Sequence, residues 1–383
     1  MNAEFDEIRP YLDEELPDVY EELIADPMFR QVAAYVLPEH PFEAVAARMR
    51  QCPTKLDFQK AFCAPFLQRI INQCTDGTDL QTDDPQGVYT YISNHRDIVL
   101  DSGFLSLLLD AKGGNTPEIA IGDNLLIFPW IKKLVRINKS FIVQRGLTLR
   151  QMMESSARMS RYMHYAVSQK RQSVWIAQRE GRAKDSDDRT QESVLKMLAM
   201  GGQGSIVERL KEMNIAPLSI SYEYDPCDYL KAKEFQLKRD CPDYKKTTAD
   251  DLLNMQTGIF GRKGRVHFEI TPSVNAELDS LDEKIGKQEL FSQVAALIDR
   301  RIHAGYRLYP GNYVAHDLLF GTSKFAANYT NEEKQRFADY VEGQLQKIDL
   351  PSKDEPFLRE KILLMYANPL LNYFRAMEKA PLL

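Results

Sequence analysis

The feature that most restricts the fold of this chain is an alternation of short, β-rich apolar runs with longer stretches of helical periodicity. The apolar runs cover 88–93, 119–121, 141–143, 174–177 and 216–222. Helical patterns separate them, notably over 97–111 and 149–169. Strands that alternate with helices indicate parallel pairing in a sheet covered by helices. The predicted fold class is therefore α/β, with a central, mostly parallel sheet flanked by helices.

The two ends of the chain predict helical extensions of this core. Residues 1–84 form a predicted N-terminal helical region, in which apolar residues recur at helix spacing. These residues are Val32, Tyr35, Val36, Phe58, Phe62, Phe66 and Ile70. Residues 280–383 form a predicted C-terminal helical region packed on the core, with helices over 284–305, 330–347 and 355–378.

The α/β domain is predicted over 85–279. The polar stretch 75–87 before it carries turn residues and predicts a loop. Near the end of the domain, Val266, Phe268 and Ile270 alternate with polar residues. This alternation predicts a half-exposed strand near a sheet edge.

Cysteine usage and hydropathy indicate a cytoplasmic protein. The five cysteines form no C-x-x-C pair, which indicates reduced thiols rather than a disulfide framework. The acidic N-terminus does not resemble a signal peptide. No apolar stretch approaches the roughly 20 residues that span a bilayer. Any membrane contact is therefore expected to be peripheral, at the inner face of the cell membrane.

The net charge of −6 conceals a strongly basic segment. Residues 124–184 contain thirteen Lys and Arg against Glu154 and Glu180, a local net charge of +11. Such a segment in an acidic chain indicates an anionic partner: phosphate groups, an anionic membrane, an acidic carrier protein or nucleic acid. For any single one of these cations, a solvated helix surface is the better explanation.

His95 is the strongest candidate for a catalytic residue. It follows a predicted buried strand, where open α/β sheets place their sites, and Asp97 and Asp101 come shortly after it. A carboxylate that binds one ring nitrogen of a histidine orients the other as a general base. The kinase motif H-R-D-x-x-x-x-N is excluded because Ser102 occupies the asparagine position, and the chain has no G-x-S-x-G serine-hydrolase elbow.

Three further segments, each built on a predicted strand, come in a regular order. In the first, the strand is followed by Arg145, and the third is a strand with Pro217 near its start. The second carries Glu180, Gly181, Arg182 and Lys184 directly after a strand. Cations at strand ends, beside a glycine that admits a ligand close to the backbone, are typical of phosphate binding.

These four blocks together resemble the glycerolipid acyltransferase family, which includes glycerol-3-phosphate and 1-acylglycerol-3-phosphate acyltransferases. Asn94, His95 and Asp101 look like its N-H-x4-D block. The other three blocks are similar to its F-I-x-R, E-G-T-R-S and apolar-Pro-apolar blocks, and they comprise Ile142–Arg145, Glu180–Arg182 and Ala216–Leu218. The resemblance covers roughly 85–225.

Two departures from the family pattern affect the site residues. Asp101 comes one residue late, which predicts a local bulge in the following helix, and Asp97 is the alternative partner of His95. Arg182 comes one residue early, so Arg179, Arg182 and Lys184 all remain candidates for the phosphate.

The resemblance implies transfer of a fatty acyl group from an acyl thioester to a hydroxyl of glycerol 3-phosphate or lysophosphatidate. His95 would be the base and Asp101 or Asp97 its partner. The substrate-binding residues would be Asn94, Arg145, Glu180, Gly181, Arg182 and Lys184. The donor would be acyl carrier protein or a CoA thioester, and no metal or organic cofactor is implied. The oxyanion would bind a backbone N–H near the following helix or near Gly181.

Other hypotheses remain open at this stage. Leu125–Val135 joins apolar residues to a basic flank, which is typical of an anionic membrane contact or of a core helix between two strands. The acceptor could be another lipid precursor, such as an amino-acid lipid. An inactive relative that binds lipid is a further alternative. Nucleic-acid binding is disfavoured because no such motif is present and aromatic residues do not interleave with the cations.

Overall fold

The computed structural model describes residues 3–37 and 39–378. Its seven strands are β1 (Thr75–Gln81), β2 (Thr90–Ser93), β3 (Glu118–Gly122), β4 (Ser140–Val143), β5 (Val174–Ala177), β6 (Ile215–Tyr222) and β7 (Gly264–Ile270). They form one sheet in the order β1-β7-β6-β2-β5-β3-β4. All neighbouring pairs are parallel except β6 and β7. The predicted fold class is therefore confirmed.

Helices cover both faces of the sheet and form both ends of the described chain. Those of the N-terminal region and the first half of the sheet are α1 (Leu16–Ala25), α2 (Pro27–Val36), α3 (Phe42–Arg50), α4 (Lys55–Phe58), α5 (Ala64–Cys74), α6 (Leu100–Ala111), α7 (Pro129–Ile137) and α8 (Leu149–His164). Those that follow are α9 (Glu192–Leu198), α10 (Ile206–Glu212), α11 (Asp228–Asp240), α12 (Thr248–Phe260), α13 (Asn275–Leu278), α14 (Lys287–Ala304), α15 (Pro310–Phe320), α16 (Asn331–Gln346) and α17 (Glu355–Glu378).

The edge of the sheet differs from the prediction. The polar stretch 75–87 is not wholly a loop, because its first half is strand β1, paired with β7. Only one of its seven residues, Leu80, is buried, so the strand lacks an apolar signature. The exposed edge is β1, and β7 lies inside the sheet with five of its seven residues buried. The sheet therefore begins at Thr75, before the predicted domain boundary at 84/85.

The polar residues of β7 predicted a half-exposed strand, but one of them, His267, is buried and contacts a carboxylate in the neighbouring strand. His267 is buried and its Nδ1 lies 2.8 Å from Oδ2 of Asp79 in β1. A buried polar side chain with a partner has little energetic penalty, so alternation alone did not reveal the burial.

Separate apolar clusters tie the helical ends to the core. On one face of the sheet, α14 contributes Leu290, Val294 and Ile298 to the same cluster as Ile92 of β2. The first helices form their own cluster with α7, around Leu16, Met49 and Trp130. The C-terminal helices α15, α16 and α17 form another with α11. Helix α15 was not predicted, and neither were α9 to α13.

The segment 125–135 is mainly a packing element. Trp130 and Ile137 of α7 are buried against the N-terminal helices, as a core helix would be, and Ile127 before it is exposed. Along residues 3–37 and 39–378, no helix combines the length and the apolar character required to cross a membrane.

Candidate active site

His95 lies in a short loop between the end of β2 and the start of α6. Asn94 fixes the beginning of this loop. Its side chain donates a 2.9 Å hydrogen bond to the carbonyl of Ile220 in β6 and accepts one of 2.8 Å from the N–H of the same residue. Asn94 is fully buried, so it extends the β2–β6 pairing and does not occupy the substrate-binding position predicted for it.

Asp101 is the carboxylate that contacts His95. Its Oδ2 lies 2.8 Å from Nδ1 of the imidazole and also accepts hydrogen bonds from the backbone N–H groups of Arg96, at 2.6 Å, and Asp97, at 3.1 Å. Asp101 is fully buried, whereas the His95 side chain keeps 14% of its surface exposed. The ring packs edge-on against Trp175 at 5.7 Å. This arrangement fixes the ring and leaves Nε2 free to act as a base.

Asp97 has another role. Its Oδ1 accepts hydrogen bonds from the N–H groups of Val99 and Leu100, at 2.9 and 2.8 Å, and so caps the start of α6. Burial raises the pKa of its carboxyl, and the nearby Asp101 adds to this effect. The predicted bulge in the helix is wrong, because the extra residue is absorbed in the loop before Leu100, where the backbone is irregular.

His95 opens onto a cavity of about 1290 Å³. One part of its lining, here called the apolar part, comes from the N-terminal helices, α5 and α7, and includes Val36, Met49, Phe62, Phe66, Trp130 and Leu134. The other, here called the polar part, includes Arg145, Arg179, Glu180, Gly181, Arg182, Lys184, Lys231, Glu234 and Asn254. No described residue beyond Met255 lines the cavity, so the C-terminal helices do not form its wall.

Arg145 and Glu180 form an ion pair at the polar part. The backbone N–H of Arg145 donates a 3.0 Å hydrogen bond to Asp123, which fixes the turn after β4. Burial lowers the pKa of the Arg145 guanidinium, which is still cationic at neutral pH. Gly181, directly after Glu180, has a φ of +67°, a conformation that favours glycine.

Arg182 and Lys184 reach the same part of the cavity and contact helices beyond the sheet. Arg182 donates a 3.2 Å hydrogen bond to Oδ1 of Asn254 in α12. Lys184 pairs with the buried carboxylate of Glu234 in α11, and burial lowers its pKa. All four candidate cations, Arg145, Arg179, Arg182 and Lys184, therefore line one cavity, and Arg145 and Lys184 are paired with carboxylates.

Sequence reasoning missed the residues that α11 and α12 contribute. Lys231, Glu234 and Asn254 belong to helices that were not predicted, and no spacing links them to His95. Gly258 shows how closely α12 approaches the site, because a Cβ there would lie 2.1 Å from Oδ2 of Asp97. The only sequence signal for these cavity residues was the helical repeat of Lys and Glu in α11, and such a repeat is typical of an exposed surface.

The excess charge of 124–184 is partly neutralised by the acidic N-terminus. Lys133 pairs with Glu22 at 2.6 Å, Arg158 pairs with Glu7 at 2.8 Å, and Arg161 pairs with Glu4. Three of the thirteen cations in this segment are therefore paired with carboxylates of the N-terminal region, and the anionic partner stays a prediction. Within the described parts of the chain, no cluster of three or more His, Cys, Asp or Glu has the arrangement of a metal site.

The fold and the site together define an α/β acyltransferase domain, and comparison with known proteins agrees. The family model described as Acyltransferase matches residues 74–221, the segment from the start of β1 to the end of β6. Over this segment, the match supports the resemblance to an acyltransferase family that the four blocks predicted.

Individual relatives are distant. No curated protein matches the chain by sequence. Among solved structures, the crystal structure of the 1-acyl-sn-glycerophosphate (LPA) acyltransferase PlsC from Thermotoga maritima is similar at 10% identity and a TM-score of 0.38. The alignment covers 76% of this chain and 96% of that one.

Proposed function

We propose that the protein transfers a fatty acyl group from an acyl thioester to a hydroxyl of glycerol 3-phosphate or lysophosphatidate, in phospholipid synthesis. One observation carries the proposal. The His95–Asp101 pair opens onto a single cavity that is lined by an apolar part and by a part rich in cations. An acyl chain and a phosphate are the two chemical groups that such a lining suits.

The reaction follows from the geometry of the pair. Nε2 of His95 takes the proton of the acceptor hydroxyl, and the oxygen attacks the thioester carbonyl directly. The tetrahedral intermediate then expels the thiolate, which receives the proton from the imidazolium. Asp101 orients the ring and stabilises the imidazolium that forms.

The oxyanion needs a backbone donor in the cavity. The N–H groups of Arg96 and Asp97 already bind Asp101, and those of Val99 and Leu100 bind Asp97. Ile98 and Gly181 both line the cavity, and their backbone N–H groups are the remaining candidates near the helix start and the glycine turn.

Phosphate binding would use Arg145, Arg182 and Lys184. The carboxylates of Glu180 and Glu234, which hold two of these cations, would yield to the phosphate and then orient the cations from behind. The proposed chemistry requires neither a metal nor an organic cofactor. The donor would be acyl carrier protein or a CoA thioester.

The acyl chain would occupy the apolar part, and the lipid would enter from the inner face of the cell membrane. Apolar side chains that line the cavity, such as Val32 and Met152, continue to the exposed surface, where Leu149 and Met153 are also exposed. An exposed apolar rim beside a cavity is typical of a membrane contact. The protein would then be cytoplasmic and peripherally bound.

The proposal is tested by assaying acyl-carrier-protein and acyl-CoA donors against glycerol 3-phosphate, lysophosphatidate and an amino-acid lipid precursor. Transfer to either phosphate acceptor is expected, and it should be lost in a folded His95→Ala variant. His40→Ala, at an exposed histidine outside the cavity lining, is the matched control. Full activity of His95→Ala, or transfer only to the amino-acid precursor, would contradict the proposal.

A further inference from the structure

A buried polar cluster lies directly behind the loop that carries His95. Its centre is the carboxylate of Asp188, which is 1% exposed. Oδ2 of Asp188 lies 2.7 Å from Nη2 of Arg96 and accepts a 2.6 Å hydrogen bond from the hydroxyl of Tyr306. His303, in the last turn of α14, donates from Nε2 to the backbone carbonyl of Asp188 at 2.7 Å.

The cluster is built to keep Arg96 in place. The Arg96 guanidinium is 7% exposed, lies 5.7 Å from the centre of the Tyr306 ring, and is 3.4 Å through Nε from the carbonyl of Ile220. Burial raises the pKa of Tyr306 well above its ordinary value, and Asp188 adds to this, so the hydroxyl remains a donor. Ion pairs that are this buried and this well bonded hold one geometry.

Arg96 is also bonded to the catalytic pair itself. Its backbone N–H donates to Oδ2 of Asp101, the oxygen that contacts the His95 ring. His95 is thus held between Asn94, bonded to β6, and Arg96, bonded to Asp188. Any shift of the Arg96 backbone changes the position of both members of the pair.

We infer that Asp188 and Tyr306 are positioning residues for the general base, acting through Arg96. Tyr306 follows α14, so the C-terminal region completes the site from behind although it lines none of the cavity. The inference rests on the proposed role of His95. Misplacing a reacting group by about 1 Å costs up to a hundred-fold in rate, so even a partial loss of this support is measurable.

The test compares Tyr306→Phe, Asp188→Asn and a matched control in the full-length protein. The control is Tyr329→Phe, which also removes a tyrosine hydroxyl from a buried aspartate in the C-terminal region, Asp317 at 2.9 Å. Tyr306→Phe keeps the ring and the ion pair, and it is therefore the variant expected to fold without difficulty. We expect kcat to fall about ten-fold in Tyr306→Phe and further in Asp188→Asn, with KM for both substrates within about two-fold of wild type. Tyr329→Phe should match wild type.

A second readout does not depend on turnover. Histidine-selective ¹⁵N labelling reports the six imidazoles, and the His95 signals are assigned from their absence in His95→Ala. In Tyr306→Phe the His95 signals should shift or broaden, while in Tyr329→Phe they should not. An unchanged kcat in folded Tyr306→Phe, or an equal loss in Tyr329→Phe, would overturn the inference. Absence of acyl transfer in the wild-type protein would instead refute the proposed function. In that case the His95 signals alone test the positioning role, and unchanged signals in Tyr306→Phe would overturn it.

Discussion

A single carboxylate oxygen of Asp101 lies 2.8 Å from Nδ1 of His95 and 2.6 Å from the backbone nitrogen of Arg96. The side chain thus binds the ring and the peptide bond that follows it. Because the same atom binds the ring and its backbone, Asp101 directly sets the direction of Nε2 into the cavity. The neighbouring Asp97 makes no comparable contact and instead caps α6.

The two aspartates are therefore expected to differ as catalytic variants. Asp101→Asn should lower kcat by about 10³- to 10⁴-fold, because the amide stabilises the wrong tautomer of His95 and no imidazolium. Asp97→Asn, the matched control, keeps an oxygen acceptor for the cap of α6, so activity should stay within about ten-fold and the free energy of unfolding close to that of the wild type. Steady-state kinetics and urea unfolding separate the two effects. A larger loss of kcat in Asp97→Asn would reverse the assignment.

Arg145→Gln should weaken binding of the phosphate-bearing acceptor. A hydrogen bond to a charged group contributes about 1.5–3 kcal/mol, so the acceptor KM should rise about ten- to a hundred-fold with little change for the acyl donor. Arg262→Gln is the control, since Arg262 forms an exposed ion pair with Asp76 and does not line the cavity. Initial rates at varied acceptor concentration measure the effect, and an unaltered acceptor KM would remove Arg145 from the phosphate site.

Val36→Trp should restrict the length of the acyl chain. Val36 lines the apolar part of the cavity from α2, and an indole there would fill space that a long chain needs. Its neighbour Tyr35 is 75% exposed, so Tyr35→Trp places the same side chain in solvent and should have no effect. Competition between long- and short-chain thioesters measures the preference. A preference that is the same in both variants would place the acyl chain elsewhere.

Asp228 should make the folded protein less stable as the pH rises, because its pKa is raised in the folded state. Burial raises its pKa to about 6 despite hydrogen bonds from Tyr340, Tyr366 and Gln344. The folded state holds the proton of the Asp228 carboxyl more tightly than the unfolded chain does. The resulting stabilisation of the fold is therefore fully present below pH ~4 and is lost as pH rises through about 6. The free energy of unfolding of the wild type, relative to Asp228→Asn, should therefore fall by about 1–2 kcal/mol between pH 4.5 and 7.5. A constant difference would show that Asp228 titrates normally.

Prediction from sequence succeeded where the information is local. The apolar runs predicted at 88–93, 141–143, 174–177 and 216–222 correspond to the largely buried strands β2, β4, β5 and β6. Each carries its own signature because both faces of the sheet are covered. It failed for β1, whose exposed residues carry no apolar pattern. It found strand β7 but not its burial, because the polar side chain of His267 is paired across the sheet. The contact between these two strands joins Asp79 to His267, which lie nearly 190 residues apart in the chain.

The sequence by itself determined the class of fold and the position of His95 at the end of β2, because strand periodicity and the end of a strand are properties of neighbouring residues. Only the tertiary structure decided that Asp101 rather than Asp97 holds the ring, since this depends on where a loop bends. It also decided that α11 and α12 line the polar part of the cavity, and that Asp188 and Tyr306 lie behind His95. Those contacts join segments distant in the chain, and buried charges leave no local pattern when their partners are remote.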